Sequence, residues 1–157
     1  FQKEEDMSQF SEIGTKIFAL ISSELLLTIF HPNTALHDGA CFIQGGKLIA
    51  AGCFLPLSEQ YDIKKTFGTR HRAAIGVSEQ SDCVAVVVSE ETGTISIAKN
   101  GKLMRYLTPK DMRKVLEQHV KDPIRKRENV VVKLNDKIEK FFGISVNMLI
   151  FAVPYMR

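Results

Sequence analysis

ACFIQGGKLIAAGCFL, Ala40 to Leu55, decides how this chain is read. Ala40 to Ile43 is a short apolar run, Gly45-Gly46 is a turn, and Leu48 to Leu55 is a longer apolar arm. Together they form a β-hairpin with one long arm. An arm made almost wholly of small apolar residues belongs at the centre of a sheet, covered on both faces. Pro56, which has no N–H to donate, ends it.

Towards the N-terminus, His31 to His37 is a loop marked by Pro32-Asn33. Ser22 is an N-cap for a helix through Glu24, Leu25, Leu26 and Ile29, which stops ahead of Pro32. Ile17, Ala19 and Ile21 alternate as a strand, and Met7 to Ile13 is amphipathic and ends at Gly14. Towards the C-terminus, Ser58 to Gly68 is polar and reads as a surface loop. Thr69 to Val77 reads as a helix with its basic residues in the first turn. Val84 to Val88 is the clearest strand, four valines around Ala85. Thr94 to Ala98, an Asn100-Gly101 type I′ turn and Leu103 to Tyr106 make a second hairpin. Thr108 caps a helix from Pro109 to His119. Beyond Pro123, Asn129 to Arg157 holds Val130 to Val132, an amphipathic stretch with Ile138, Phe141 and Phe142, and an apolar end from Met148 to Val153. The pattern assigns these no place in the fold. The sum is a single α/β (α+β) domain, a central mixed and mostly antiparallel sheet flanked by helices.

A chain of 157 residues with 45% hydrophobic and 25% charged residues builds one globular core. Its net charge of +3 is too small to argue for nucleic acid. The four cations within Lys121 to Arg127 are interrupted by Asp122 and Pro123, as a solvated turn would be. Cys41, Cys53 and Cys83 form no CxxC pair and read as buried free thiols of a reducing compartment. Histidine spacing gives neither HExxH nor HxxxH. The polar, acidic start at Phe1 to Asp6 is no secretory signal, and no apolar span of about 18 residues exists. The absent initiator methionine sets the expectation of a piece of a longer protein.

Three strings carry chemistry. Asp38-Gly39-Ala40 puts a carboxylate, a donor for a hard cation, beside a glycine that lets a ligand approach the backbone. Taken alone it is more often a tight turn. His37 is a second ligand or a loop residue, the latter favoured. Thr69-Arg70-His71-Arg72 sets a hydroxyl, two guanidiniums and an imidazole on consecutive residues, and arginine forks match phosphate oxygens. Cations at a helix start oppose its dipole, which anion binding would explain better than a solvated helix face. Ser89-Glu90-Glu91 follows the strongest strand, where a sheet places catalytic acids, or is a charged turn leading to Gly93. Acid, metal and arginine together equip phosphoryl or nucleotidyl transfer. Gly45-Gly46-Lys47 does not complete a P-loop, and neither GxGxxG nor GxSxG occurs.

In this order the strings resemble the diadenylate cyclase domain. The resemblance runs from about Phe1 to Lys121, through Ser22 to Leu26, Pro32-Asn33-Thr34, Leu36 to Ala40, Leu55 to Ser58, Gly68 to Gly76, Ser89 to Gly93 and Ala98 to Gly101. It is strongest to the membrane-anchored branch. It implies a catalytic domain over residues 1–121, lacking the family's first helix and strand and leaving the sheet one strand short. Residues 122–157 become an extension of unknown role.

The resemblance also implies condensation of two ATP into cyclic di-AMP and pyrophosphate across a face-to-face homodimer. Asp38, Gly39, Arg70, His71 and Arg72 are then catalytic. Gly39, Phe54, Leu55, Thr69, Arg70, His71, Arg72 and Ser89 bind nucleotide. Asp38, one of Glu90 and Glu91, and more weakly His37 hold Mg2+ or Mn2+. It implies further a cytoplasmic location next to a membrane anchor, a membrane-anchored regulator and no nucleic-acid partner. The alternatives are a nucleotide sensor of the same fold without turnover and a scaffold whose tail docks a partner. The modest charge disfavours a DNA-binding repair protein.

Overall fold

The computed structural model describes residues 13–44, 46–89, 92–119 and 151–153. Its strands are β1 (Thr15–Leu20), β2 (Ala40–Gln44), β3 (Lys47–Cys53), β4 (Val84–Val88), β5 (Ile95–Lys99), β6 (Lys102–Leu107) and β7 (Phe151–Val153). Its helices are α1 (Ser23–Ile29), α2 (Tyr61–Thr66), α3 (Thr69–Gln80) and α4 (Pro109–His119). The strands make one sheet in the order β1-β3-β2-β7-β4-β5-β6. Only the β2–β7 pair is parallel, so the sheet is mixed and mostly antiparallel, as expected.

Side-chain alternation divides the core into two layers. One face carries Ala40, Ala50, Ala85, Val87 and Ala98 beneath Ala74, Ile75 and Val77 of α3. The other carries Cys41, Ile43, Leu48, Val84, Val86 and Ile97 beneath Leu26, Ile29 and Phe30 after α1, and Met112 and Leu116 of α4. β2, β4 and β5 are buried on both faces, so alternate side chains of each strand fill one layer or the other. The alanine-rich face lets α3 approach closely. A Cβ on Gly76 would run into the Pro56 carbonyl oxygen and stand 2.7 Å from the Ser58 nitrogen.

Caps follow the sequence. Ser22 Oγ accepts from the Leu25 N–H at 3.1 Å. Thr108 Oγ1 accepts from the Asp111 N–H at 3.2 Å, while Asp111 Oδ2 accepts from the Thr108 N–H, a reciprocal capping box. Those hydrogen bonds to Thr108 hold the exposed Asp111 carboxyl below its ordinary pKa. Asn100 and Gly101 both take positive φ, 49° and 72°, the signature of the expected type I′ turn.

Three expectations need correction. The polar stretch Ser58 to Gly68 is not all loop, since Tyr61–Thr66 is helical. Ile63 and Phe67, four residues apart, pack on the core and anchor it, with the Thr66 hydroxyl donating to the Asp62 carbonyl. The long hairpin arm stops at Cys53, two residues short of Leu55, after a bulge at Gly52 where φ is +65°. The helix after Gly68 runs to Gln80 rather than Val77. The apolar end that the pattern left without a place supplies β7, which lies between β2 and β4. Met7 to Glu12 and the stretches around Val130 to Val132 and Ile138 to Phe142 lie outside the described residues.

Candidate active site

Strand direction gathers the three strings at one end of the sheet. β2 begins where β3 ends, with Ala40 opposite Cys53. β7 runs parallel to β2 and β4 antiparallel to β7, so β4 ends at the same side, and Val88 pairs with Ile95 at the start of β5. Asp38-Gly39, Phe54-Leu55 and Ser89 therefore share one rim. The heads of β2 and β4 are two strand spacings apart, about 10 Å.

Each residue at the rim has a structural reason for its place. Gly39 has φ +119°, and a Cβ there would stand 2.8 Å from the Gly52 carbonyl carbon and 3.0 Å from the Cys53 nitrogen. Only glycine fits where the two hairpin backbones touch. Asp38 is thereby held exposed at the head of β2. His37 is half-buried, and its Nδ1–H donates to the Thr34 carbonyl at 2.6 Å. Phe54 is 65% exposed, a large ring at the rim, while Leu55 turns inward against the core.

The chain then passes Pro56 and Leu57 to Ser58, whose N–H donates to the Arg72 carbonyl at 3.0 Å and whose hydroxyl donates to Glu79 Oε1 at 2.7 Å. Gln60 Nε2 donates to the same Glu79 oxygen. This ties the β3 exit along α3. Gly68, the N-cap of α3, has no side chain to cap with. The helix offers no acceptor to its own first-turn N–H groups, which makes such an end a favourable place for an anion.

Thr69 is exposed, and Arg70, His71 and Arg72 are half-buried. Among the described residues Arg72 Nε is buried without a hydrogen-bond partner. A buried guanidinium donor left over in this way is what an anion seat requires. His71 Nε2 lies 3.5 Å from Ser96 Oγ of β5, and burial, then the Arg105 charge, lower its pKa. Ser89 donates its N–H to the Thr94 carbonyl and accepts from Gly93, which closes the loop after β4.

Glu90 and Glu91 lie outside the described residues. Among the described residues no cluster of three His, Cys, Asp or Glu gathers. Burial pushes the thiol pKa of Cys53 and Cys83 up to about 11 and that of Cys41 further.

Ser58, Phe67, Ser96 and Arg105 support the site, and sequence reading did not single them out for it. Phe67 and Arg105 are four and thirty-four residues from His71, and only tertiary structure joins them. Gly76 was the available signal for the Pro56–Ser58 contact, a glycine inside an otherwise good helix pattern.

Residues 1–103 match the family described as DisA bacterial checkpoint controller nucleotide-binding. The chain is 48% identical over 124 residues to cyclic di-AMP synthase CdaA of Bacillus subtilis, covering 79% of this chain and 45% of that protein. It is 43% identical over 127 residues to a diadenylate cyclase of Listeria monocytogenes, covering 81% and 46%. It thus spans about half the length of these relatives. A crystal structure of a double-cysteine mutant of DacA from Staphylococcus aureus superposes with a TM-score of 0.72 at 47% identity, covering 78% of this chain and 81% of that one.

Proposed function

This chain belongs to the DisA bacterial checkpoint controller nucleotide-binding family, and from that membership we propose that it is a diadenylate cyclase, converting two ATP into one cyclic di-AMP and two pyrophosphates. The observation that carries the reading is the common rim, where Asp38-Gly39, Phe54, the α3 N-terminus and Ser89 converge. The named activities of the relatives above support it.

Phe54 and Leu55 receive the adenine, the exposed ring offering a stacking face. Gly39 lets the nucleotide pass close to the hairpin backbone. Thr69, Arg70, His71, Arg72 and Ser89 cradle the triphosphate. The Arg72 fork and the α3 amides are positioned before the substrate arrives, so they offset charge on the transition state without reorganising.

The donor chemistry fits a hard dication. Asp38, with one of Glu90 and Glu91 and more weakly His37, would hold Mg2+ or Mn2+, which when bound supplies Lewis acidity that lowers the pKa of the attacking hydroxyl.

Each protomer binds one ATP and presents it to a second copy across a two-fold axis. The 3′-hydroxyl of each nucleotide then attacks the α-phosphorus of the other as pyrophosphate departs. Residues 1–121, whose sheet β7 completes, form this catalytic unit. The whole protein is read as cytoplasmic at this end and anchored to a membrane, where a regulator would meet it. A similar solved chain from Bacillus cereus is described as a hypothetical membrane spanning protein, whereas no helix among the described residues is long and apolar enough to cross a bilayer.

Incubation with ATP and Mg2+ or Mn2+, followed by mass analysis, should give cyclic di-AMP. ATP bound but returned intact would turn the reading to a sensor.

A further inference from the structure

β6 is built irregularly at one point. Ile97 pairs with Met104 and Ile95 with Leu107, so β6 fits one residue more than β5 into the same stretch. The extra residue lies at Arg105-Tyr106, and Tyr106 takes φ +57°, a region that bulky side chains avoid. Bulges of this kind turn a side chain aside from the pleat, and they occur beside active sites.

Here the bulge presents Arg105. Its Cζ stands 4.8 Å from the centre of the 74% exposed Tyr106 ring and 5.2 Å from that of Phe67. Phe67 in turn lies 5.8 Å from the His71 ring, tilted by 31°. Phe67 directly precedes Gly68, the N-cap of α3. A continuous ladder of tyrosine, guanidinium, phenyl and imidazole therefore runs from the edge of the sheet to the first turn of α3.

We propose that Arg105 is a positioning residue: the β6 bulge seats its guanidinium on Phe67, and Phe67 fixes the His71 ring against Ser96 at the triphosphate seat. The consequence for catalysis rests on the cyclase reading above. The ladder itself does not.

Electrostatics at His71 are simple enough to read. β4 faces α3 with valine and alanine, β5 with the neutral Ser96 hydroxyl, and β6 with Arg105. Arg70 and Arg72 flank the ring on its own helix. Lys99 and Lys102 border the Asn100-Gly101 turn, which packs on Ser78 and Glu79 at the other end of α3. Loss of the Arg105 charge should therefore be felt at His71 directly.

The test uses Arg105→Gln, Arg105→Lys, Phe67→Leu and the Arg105→Gln/Phe67→Leu pair in the intact chain, with folding checked by circular dichroism. The His71 ring is titrated by NMR without nucleotide, and KM and kcat are measured for ATP. In Arg105→Gln and Phe67→Leu the His71 titration should move up towards ordinary imidazole. KM should rise about two- to tenfold, the span of a lost cation–π contact, with kcat less affected. Arg105→Lys should keep most of both values, and the pair should be no worse than its more severe single change. An unmoved His71 titration in Arg105→Gln overturns the proposal, as does a pair whose effects simply add. Absence of cyclic product from the unaltered chain would remove the cyclase reading alone, because the His71 titration still decides the ladder.

Discussion

Gly39 sits where a side chain has no room, and its neighbour Asp38 is exposed at the head of β2. The two fail differently when changed. Gly39→Ala drives a Cβ to 2.8 Å from Gly52 at a φ of +119°, so it should lower both stability and activity. Asp38→Asn keeps the shape, so it should spare most ATP affinity while turnover falls below detection in a mass assay. Full turnover in that variant would remove Asp38 from the chemistry. His71 adds a pH dependence whose sign follows from burial and from Arg105, which both lower its pKa. The unfolded ring takes up a proton first, so the contribution of His71 to stability is complete above about pH 6.5. It declines as pH falls through that value towards the lowered folded one. Urea midpoints measured at pH 7.5 and 5.5 should drop at the lower pH, and drop less in His71→Asn. Equal drops would show that another group carries the effect.

At the scale of elements, α3 packs directly on the Pro56–Ser58 strand exit. Gly76→Val forces two or more methyl groups into the Pro56 carbonyl and should cost about 1–3 kcal/mol or more, read as a fall in denaturation midpoint with loss of ATP binding. Thr108→Ala removes the α4 cap and should cost about 1 kcal/mol with activity intact. β7 joins β2 to β4, so truncation after residue 150 should sharply lower the thermal midpoint. An unchanged midpoint would mean the halves of the sheet hold without it.

These elements differ in how legible they are. Ser22, Thr108 and Asn100-Gly101 announce their caps and turn because the physics is local. α2 hides because only Ile63 and Phe67 mark its buried side among polar neighbours. β7 hides because an apolar triplet says nothing of which strands it will join. Of the candidate site, Asp38 to Ala40 and Thr69 to Arg72 stand out in the sequence as candidates, by residue type and by their order along the chain. Arg105 could not, since its partners are set by a bulge no local pattern encodes.

The whole molecule presents its chemical groups along one rim of one sheet, and a rim that holds one ATP holds half of a reaction. On the cyclase reading proposed above, two copies meet with their rims opposed in a self-complementary arrangement, so catalysis is second order in protein at high dilution. The direct measurement is the rate of cyclic di-AMP formation per protomer, followed by mass at saturating ATP and Mn2+ over a wide range of protein concentration. The rate per protomer should climb with concentration and level off once the dimer is populated. A rate per protomer that stays constant down to concentrations where the protein is monomeric would contradict it.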